Sequence, residues 1–525
     1  MMRLFFLFSI LFFSSLSLKA SINFIVNDSV EANVDDIDLY YHRHLWLKSQ
    51  NASGLSLVQI ANFGHTAINA EQGSGDYYRI QEGDKKKSLS VFSERFQKVN
   101  KDWYVYGRFE FNMGRQYNRS WSDVIRTYNS NPYIYGSSVK GNYDFQNYIL
   151  LAKIATVPKG KFTYGAQVNY EVTDLSRLKD PRSRTLLADY SVIPSVSYAL
   201  AENQHVGMSV KYRRRKEKTP NVTTVQTDPN LKYYAFKGVG NVEGTIGAYS
   251  SFKRQFVDQI YGIGLDYHLI RGSFKSFSSF EYDRGKETVY GTNKQSPGVY
   301  RHADHSLSTT ATYVRGKLEH RLSIVGSYTT GAADEYKQIK ITDIDQETGI
   351  TSISWENLYV YKKQYKLSDV NTNVNYRLAL LDLSGLQKAF VEADLNYSDF
   401  ENKYALPFSS LNHSGLSVLL KAGLRLYTHG LYSLWVTPHV GAYSPQKTAL
   451  VTNDDNEYVQ QVLLPDVEYY KDSYINWGGE MKLVFPTEIS KKINVGYLKL
   501  EMDQLRASSS LKRHAYFLTL GILTK

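Results

Sequence analysis

Apolar and polar positions alternate along most of this chain. In "DWYVYGRFEFNMGRQY", Asp102 to Tyr117, one side carries Val105, Gly107, Phe109, Phe111 and Met113. The other carries Tyr104, Tyr106, Arg108, Glu110 and Asn112. "KFTYGAQVNYEV" opposes Phe162, Tyr164, Ala166, Val168, Tyr170 and Val172 to Thr163, Gly165, Gln167, Asn169 and Glu171. "DVNTNVNYRL" opposes Val370, Val374, Tyr376 and Leu378 to Asn371, Asn373, Asn375 and Arg377, and "FVEADLNY" and "GLSVLLKAGLRLY" repeat the scheme. Successive side chains of a strand point to opposite faces, so alternation over eight or more residues predicts strands with one greasy and one polar face.

The connections add a second pattern. Those at 100–101, 158–160, 271–272, 315–316 and 428–430 are hairpin-sized and mostly Gly-bearing. Those at roughly 64–86, 117–142, 216–257, 285–303, 331–356 and 446–470 are long and polar. Short and long connections in alternation predict an all-β, closed, antiparallel transmembrane β-barrel, with short periplasmic turns and long extracellular loops. About eighteen strands (sixteen to twenty) are expected, near 54–63, 87–98, 102–116, 143–156, 160–173, 185–200, 204–215, 258–270, 273–284, 303–314, 317–329, 357–379, 387–400, 413–427, 431–444, 471–485, 491–503 and 510–524. Residues 231–256 are assigned to a loop. A soluble sandwich or propeller fits poorly: no blade-sized repeat is visible. Its exposed apolar faces would also far exceed what a soluble monomer shows to water.

The amino-terminal end departs from the alternation. Residues 1–20, "MMRLFFLFSILFFSSLSLKA", read as a Sec signal peptide. Residues 21–53 read as a periplasmic segment, with Asp35 or Asp36 capping a short helix that either plugs the barrel mouth, lies on the membrane surface or serves as a tether. Residues 54–525 are then the outer-membrane barrel.

Composition sharpens this picture. The 43 Tyr suit strands and interfacial belts. With no Cys, disulfides, zinc-thiolate sites and cysteine nucleophiles are excluded. The formal charge of +11 falls by two when Arg3 and Lys19 leave with the leader. In an exported chain that surplus points away from nucleic acid and towards outer-membrane lipid and lipopolysaccharide.

Catalytic and metal patterns are sparse. His42 and His44 point apart on a helix, and His302 and His305 lie near a long loop. No nucleophile elbow, zincin or P-loop pattern occurs, so no enzyme activity, cofactor or metal is expected. The polar faces carry the information instead. Strand parity turns Arg108, Glu110, Glu171, Lys211, Arg213, Asp266, Arg321, Arg377, Glu392, Asp394, Lys421 and Arg425 inward. Charges inside a barrel must be paired or wet. Both signs occur, which predicts a mixed-charge, water-filled lumen partly blocked by loops or by the amino-terminal helix, with a closed network of salt bridges packing the lumen as the alternative.

The stretch "LWLKSQNASGL", Leu45 to Leu55, carries a resemblance. The mature chain resembles Bacteroidota outer-membrane β-barrels, in particular an uncharacterised family whose members open with a Leu-Trp-rich helix and an Asn-Ala-x-Gly-Leu turn. The resemblance implies accessory work beside TonB-dependent uptake systems and carries over no catalytic residue. Three functions are consistent with these readings: a porin-like or accessory transport barrel for a small solute; a scaffold docking a surface lipoprotein or TonB-dependent transporter; and a hydrolase at the barrel rim.

Overall fold

The computed structural model describes residues 44–524, except 59–61, 129, 226–230, 247–251, 384, 431 and 490–491. The leader, most of the amino-terminal segment and His42 lie outside the described residues.

The strands are β1 (Asn62–Gly75), β2 (Lys85–Val99), β3 (Trp103–Arg119), β4 (Gly141–Thr156), β5 (Phe162–Arg177), β6 (Arg182–Ala201), β7 (Gln204–Thr219), β8 (Arg254–Arg271) and β9 (Phe274–Tyr290). They continue as β10 (Gly298–Arg315), β11 (Leu318–Ile344), β12 (Thr351–Leu381), β13 (Gln387–Tyr404), β14 (Ser409–His429), β15 (Tyr432–Val451), β16 (Tyr474–Ile489), β17 (Lys492–Ala507) and β18 (Lys512–Thr524). Each pairs antiparallel with its neighbours in sequence, and β1 pairs with β18 from Gly64↔Thr524 to Gly75↔Arg513. The sheet therefore closes into an 18-stranded barrel without an edge. Closure satisfies every ladder without solvent, which a bilayer demands. Among the described residues no helix is long and apolar enough to cross a membrane.

The apolar faces point outward. Phe109, Met113, Tyr164, Val168, Leu395, Leu420 and Leu500 are all exposed large apolar side chains. Cross-strand partners share a face, so register carries this assignment around the wall: Tyr376, Ala393, Leu420 and Val440 pair in turn from β12 to β15.

Several boundaries differ from expectation. The expected strand at 54–63 is displaced: Ala52–Leu57 forms a 3₁₀ turn, and β1 starts at Asn62 and runs to Gly75, into what reads as a long loop at 64–86. Its sequence, "NFGHTAINAEQGSG", is nearly as polar outside as inside, so no strong alternation marks it. β11 and β12 run through the expected 331–356 loop and pair out to Ile344↔Thr351 as a projecting ribbon. Beyond the membrane a ribbon needs no greasy face, so its strands read as loop. Residues 232–236 and 242–246 form a small hairpin that pairs with 135–136, separate from the barrel wall.

Candidate functional site

The lumen is filled at its two ends by different segments. At the short-turn end lies the stretch containing "LWLKSQNASGL". Leu45–Leu47 and Ala52–Leu57 form two 3₁₀ turns, and Trp46, Leu47, Ala52 and Leu55 are buried. Trp46 packs edge-on against Phe277, with centroids 4.8 Å apart, and its indole N–H donates to His268 Nδ1 at 3.2 Å. Gly54 lies beneath the indole, where a Cβ would come within 2.0 Å of Trp46 Cε3.

Polar contacts fix the segment's register. Asn51 Oδ1 accepts from the Ser53 amide at 3.1 Å and so caps the second turn. Asn51 Nδ2 and Ser49 Oγ donate to the two oxygens of Asp266 at 3.0 and 3.1 Å. Lys153 Nζ donates to the carbonyls of Leu47 and Ser49 at 2.8 and 2.6 Å, satisfying acceptors that a short turn leaves free. Two wall glycines make room for it: a Cβ at Gly165 would lie 2.4 Å from Ser53 N, and one at Gly207 would lie 2.3 Å from Asn51 Nδ2.

At the long-loop end the chain folds inward to form a cap. The 119–140 connection, the 232–246 hairpin and a helix α1 (Leu464–Lys471), preceded by a π turn at Val459–Leu463, share one apolar core. Trp121, Tyr133, Tyr135 and Tyr233 are fully buried there, and the core extends onto Leu367, Phe400 and Leu411 of the wall. Asp123 accepts from Tyr143 at 2.5 Å and from Tyr233 at 2.6 Å. Arg126 reaches from the loop to two buried wall carboxylates, Glu217 at 3.4 Å and Glu287. On α1, Tyr470 stacks on His413 with centroids 3.8 Å apart, and Arg79 donates to the Tyr470 hydroxyl at 2.9 Å. Asp466 is buried on the same helix. Desolvation pushes its carboxyl up to about 7, with nearby Arg79 opposing the shift.

Between the two ends, the residues expected inside the barrel lie on the face opposite the exposed apolar side chains, and most meet an opposite charge. Arg108 and Glu110 are 2.7 Å apart; Lys211 is 2.8 Å from Asp283; Arg213 is 2.6 Å from Asp189. Glu171 accepts from Thr173 at 3.4 Å. Glu392 gathers Arg321, Arg377 and Lys421 at 3.6, 3.5 and 3.4 Å, and Lys421 also reaches Asp394 at 3.3 Å. Arg425 pairs with Asp382 at 2.6 Å. Asp266 binds the amino-terminal segment.

His302 and His305 sit on one strand three positions apart, hence on opposite faces. His302 points inward between Asp258 and Asp304, at 3.1 and 2.7 Å, while His305 packs on Tyr282 and Tyr328 outside. A metal shared by the two is excluded. Among the described residues no group of three or more His, Cys, Asp or Glu is placed to hold a metal ion. Sequence reasoning missed Asn51, whose role needs the wall carboxylate 215 positions away; it expected loops or the amino-terminal helix to block the lumen in part but named no residue of the cap.

The fold and its lumen define a large outer-membrane-type β-barrel with both mouths occupied by its own chain. The chain belongs to the family of unknown function DUF6850, whose model matches residues 52–524. A comparison with curated proteins found no match. Solved structures match over most of the chain at low identity. The copper transporter OprC is 8% identical with a TM-score of 0.37, the match covering 87% of this chain and 80% of that one. The FrpB iron transporter of Neisseria meningitidis (F5-1 variant, apoprotein form) is 10% identical with a TM-score of 0.38, covering 90% and 82%. The unliganded ferric citrate transporter FecA is 8% identical with a TM-score of 0.40, covering 88% and 78%.

Proposed function

We propose that the protein is an outer-membrane transport barrel for a small solute, narrowed at rest by its own chain at both mouths. The short turns then face the periplasm, the cap faces outward, and the apolar belt meets lipid and lipopolysaccharide. One observation carries the reading: the described residues leave the middle of the lumen unfilled. Asn371, Asn396 and Val325 are exposed although register turns them inward, with Val325 43% exposed. A barrel that served only as a rigid scaffold has no need of an unfilled centre.

The test is conductance in a planar bilayer. The full chain is expected to conduct little, and a variant lacking residues 45–57 to conduct measurably more. No conductance in either, with the variant shown to be folded, would refute the transport reading.

The projecting ribbon favours a second reading, a docking barrel. Ile339, Ile344, Ile350 and Tyr359 are exposed on it at 44, 59, 65 and 55%. Such a ribbon offers unpaired edges to a surface lipoprotein or a TonB-dependent transporter. Cross-linking in native outer membranes, with and without residues 337–359, tests that reading; recovery as a lone monomer in both cases would argue against it.

A further inference from the structure

At mid-height in the lumen the wall chemistry changes. Register links Ser308, Val325, Asn373, Asn396, Ser417 and Tyr443 into one continuous row from β10 to β15. On the opposite wall Thr519, Asn69, Ser90, Asn112, Asn147 and Thr173 form a second row from β18 through β1 to β5. Neither row contains a charged residue. The amino-terminal segment leans on β3 to β6 below, and the cap core reaches the wall above at Leu367, Phe400 and Leu411. The two rows therefore face each other across the part of the lumen that the described chain leaves open.

Their functional groups are amides and hydroxyls, each both a donor and an acceptor. Some bond to each other: Asn373 to Asn396 at 2.5 Å, Thr519 to Asn69 at 2.9 Å and Thr173 to Asn147 at 3.2 Å. An amide has two donor hydrogens and an acceptor oxygen, so one such bond leaves capacity directed into the lumen. Most charges that flank the rows are engaged with each other, Lys421 with Asp394, Arg108 with Glu110, and Lys499 with Glu480 and Glu501 at 3.2 and 3.0 Å, while Glu171 accepts from Thr173 of the second row. An ionic solute would have to break such pairs. At one end of the first row the lining turns aromatic. Tyr443 stacks on Tyr474 with centroids 5.1 Å apart.

We propose that this chamber is a binding site for an uncharged, polyhydroxylated solute of the saccharide class. Its hydroxyls would exchange hydrogen bonds with the two amide-hydroxyl rows, and a sugar's C–H face would rest against the tyrosines. The proposal rests on the transport reading for how the solute arrives. It goes beyond that reading in selecting neutral solutes over ions.

The test is ligand-observed saturation-transfer NMR in detergent micelles, on the full chain and on the variant lacking residues 45–57, with raffinose and maltotriose as probes and with lysine and glutamate as charged controls. Saturable saccharide binding is expected in at least one form, with none for the amino acids. The double variant Asn373→Ala/Asn396→Ala is expected to weaken it tenfold or more, with the near-UV circular dichroism unchanged. Absence of saccharide binding in both forms, equal binding of an amino acid, or indifference to the double variant would each overturn the proposal. A barrel that conducts but binds no saccharide fails this inference alone. One that binds saccharide but never conducts fails the transport reading alone.

Discussion

Asn51 Nδ2 lies 3.0 Å from Asp266 Oδ2, 215 positions away along the chain. This contact joins the one conspicuous motif near the amino terminus to the inner wall and fixes what the motif does: it seats a short double turn inside the barrel. The seat depends on Gly165 and Gly207, where any side chain meets Ser53 N or Asn51 Nδ2 within 2.4 Å.

Leucine at both glycines should therefore unseat the segment while leaving the wall strands paired. Overpacking of this kind costs about 1–3 kcal/mol per site. Hydrogen exchange at residues 45–57 should speed up, and conductance should rise towards that of the variant lacking them. Unchanged protection in the double variant would mean that the segment is held elsewhere.

The two faces of β3 should respond differently to charge. Phe109 is exposed on the apolar side, so Phe109→Arg should cost about 2–4 kcal/mol if it lies near the bilayer midplane. Glu110→Gln keeps an acceptor for Arg108 and Asn112, which lie 2.7 and 2.9 Å from it, and should leave the fold intact. Reversible unfolding in lipid vesicles measures both; equal losses would contradict the assignment of faces.

Arg126 is the latch of the cap. Arg126→Ala strands Glu217 and Glu287, both 1% exposed, and removing one partner of a buried ion pair typically costs about 3–5 kcal/mol. The 119–140 loop should then become sensitive to limited proteolysis from the long-loop end. Adding Glu217→Gln and Glu287→Gln removes the stranded charges and should restore much of the resistance. Loop sensitivity unmoved by Arg126→Ala would show that the aromatic core alone holds the cap.

Asp466 makes docking of α1 dependent on pH. Burial raises its carboxyl from an ordinary 3.8 to about 7, so the docked helix holds a proton that the undocked helix releases. The associated stability is complete below about pH 4, falls as pH rises towards 7, and is lost above it. Protection factors at 464–471, corrected for the intrinsic base-catalysed exchange of the amides, should fall between about pH 4 and pH 7. Asp466→Asn, which cannot ionise, should flatten that dependence; a slope that survives the substitution belongs to another group.

How much of this was legible in the sequence depends on where each residue's partners lie. The wall strands were readable because lipid imposes one rule, apolar outward, on every second residue, as at Phe109, Phe111 and Met113. β1 was misplaced because Thr66, Ala67, Asn69 and Ala70 give little contrast between its faces. The inward charges were readable as a set, but their pairing was not: Glu392 collects Arg321, Arg377 and Lys421 from two neighbouring strands and one beyond. The cap was opaque for the same reason. Asp123 meets Tyr233 across 110 positions, and no local pattern announces a loop that turns inward.

Four residues, 58–61, separate the end of the second turn at Leu57 from the start of β1 at Asn62. Fully extended they span at most about 14 Å. A displaced segment therefore stays beside its seat, at an effective local concentration of roughly millimolar or more. Reclosure is first order and independent of how much protein the membrane holds. A free peptide of residues 45–57 added from outside would compete for the vacant seat only at millimolar levels.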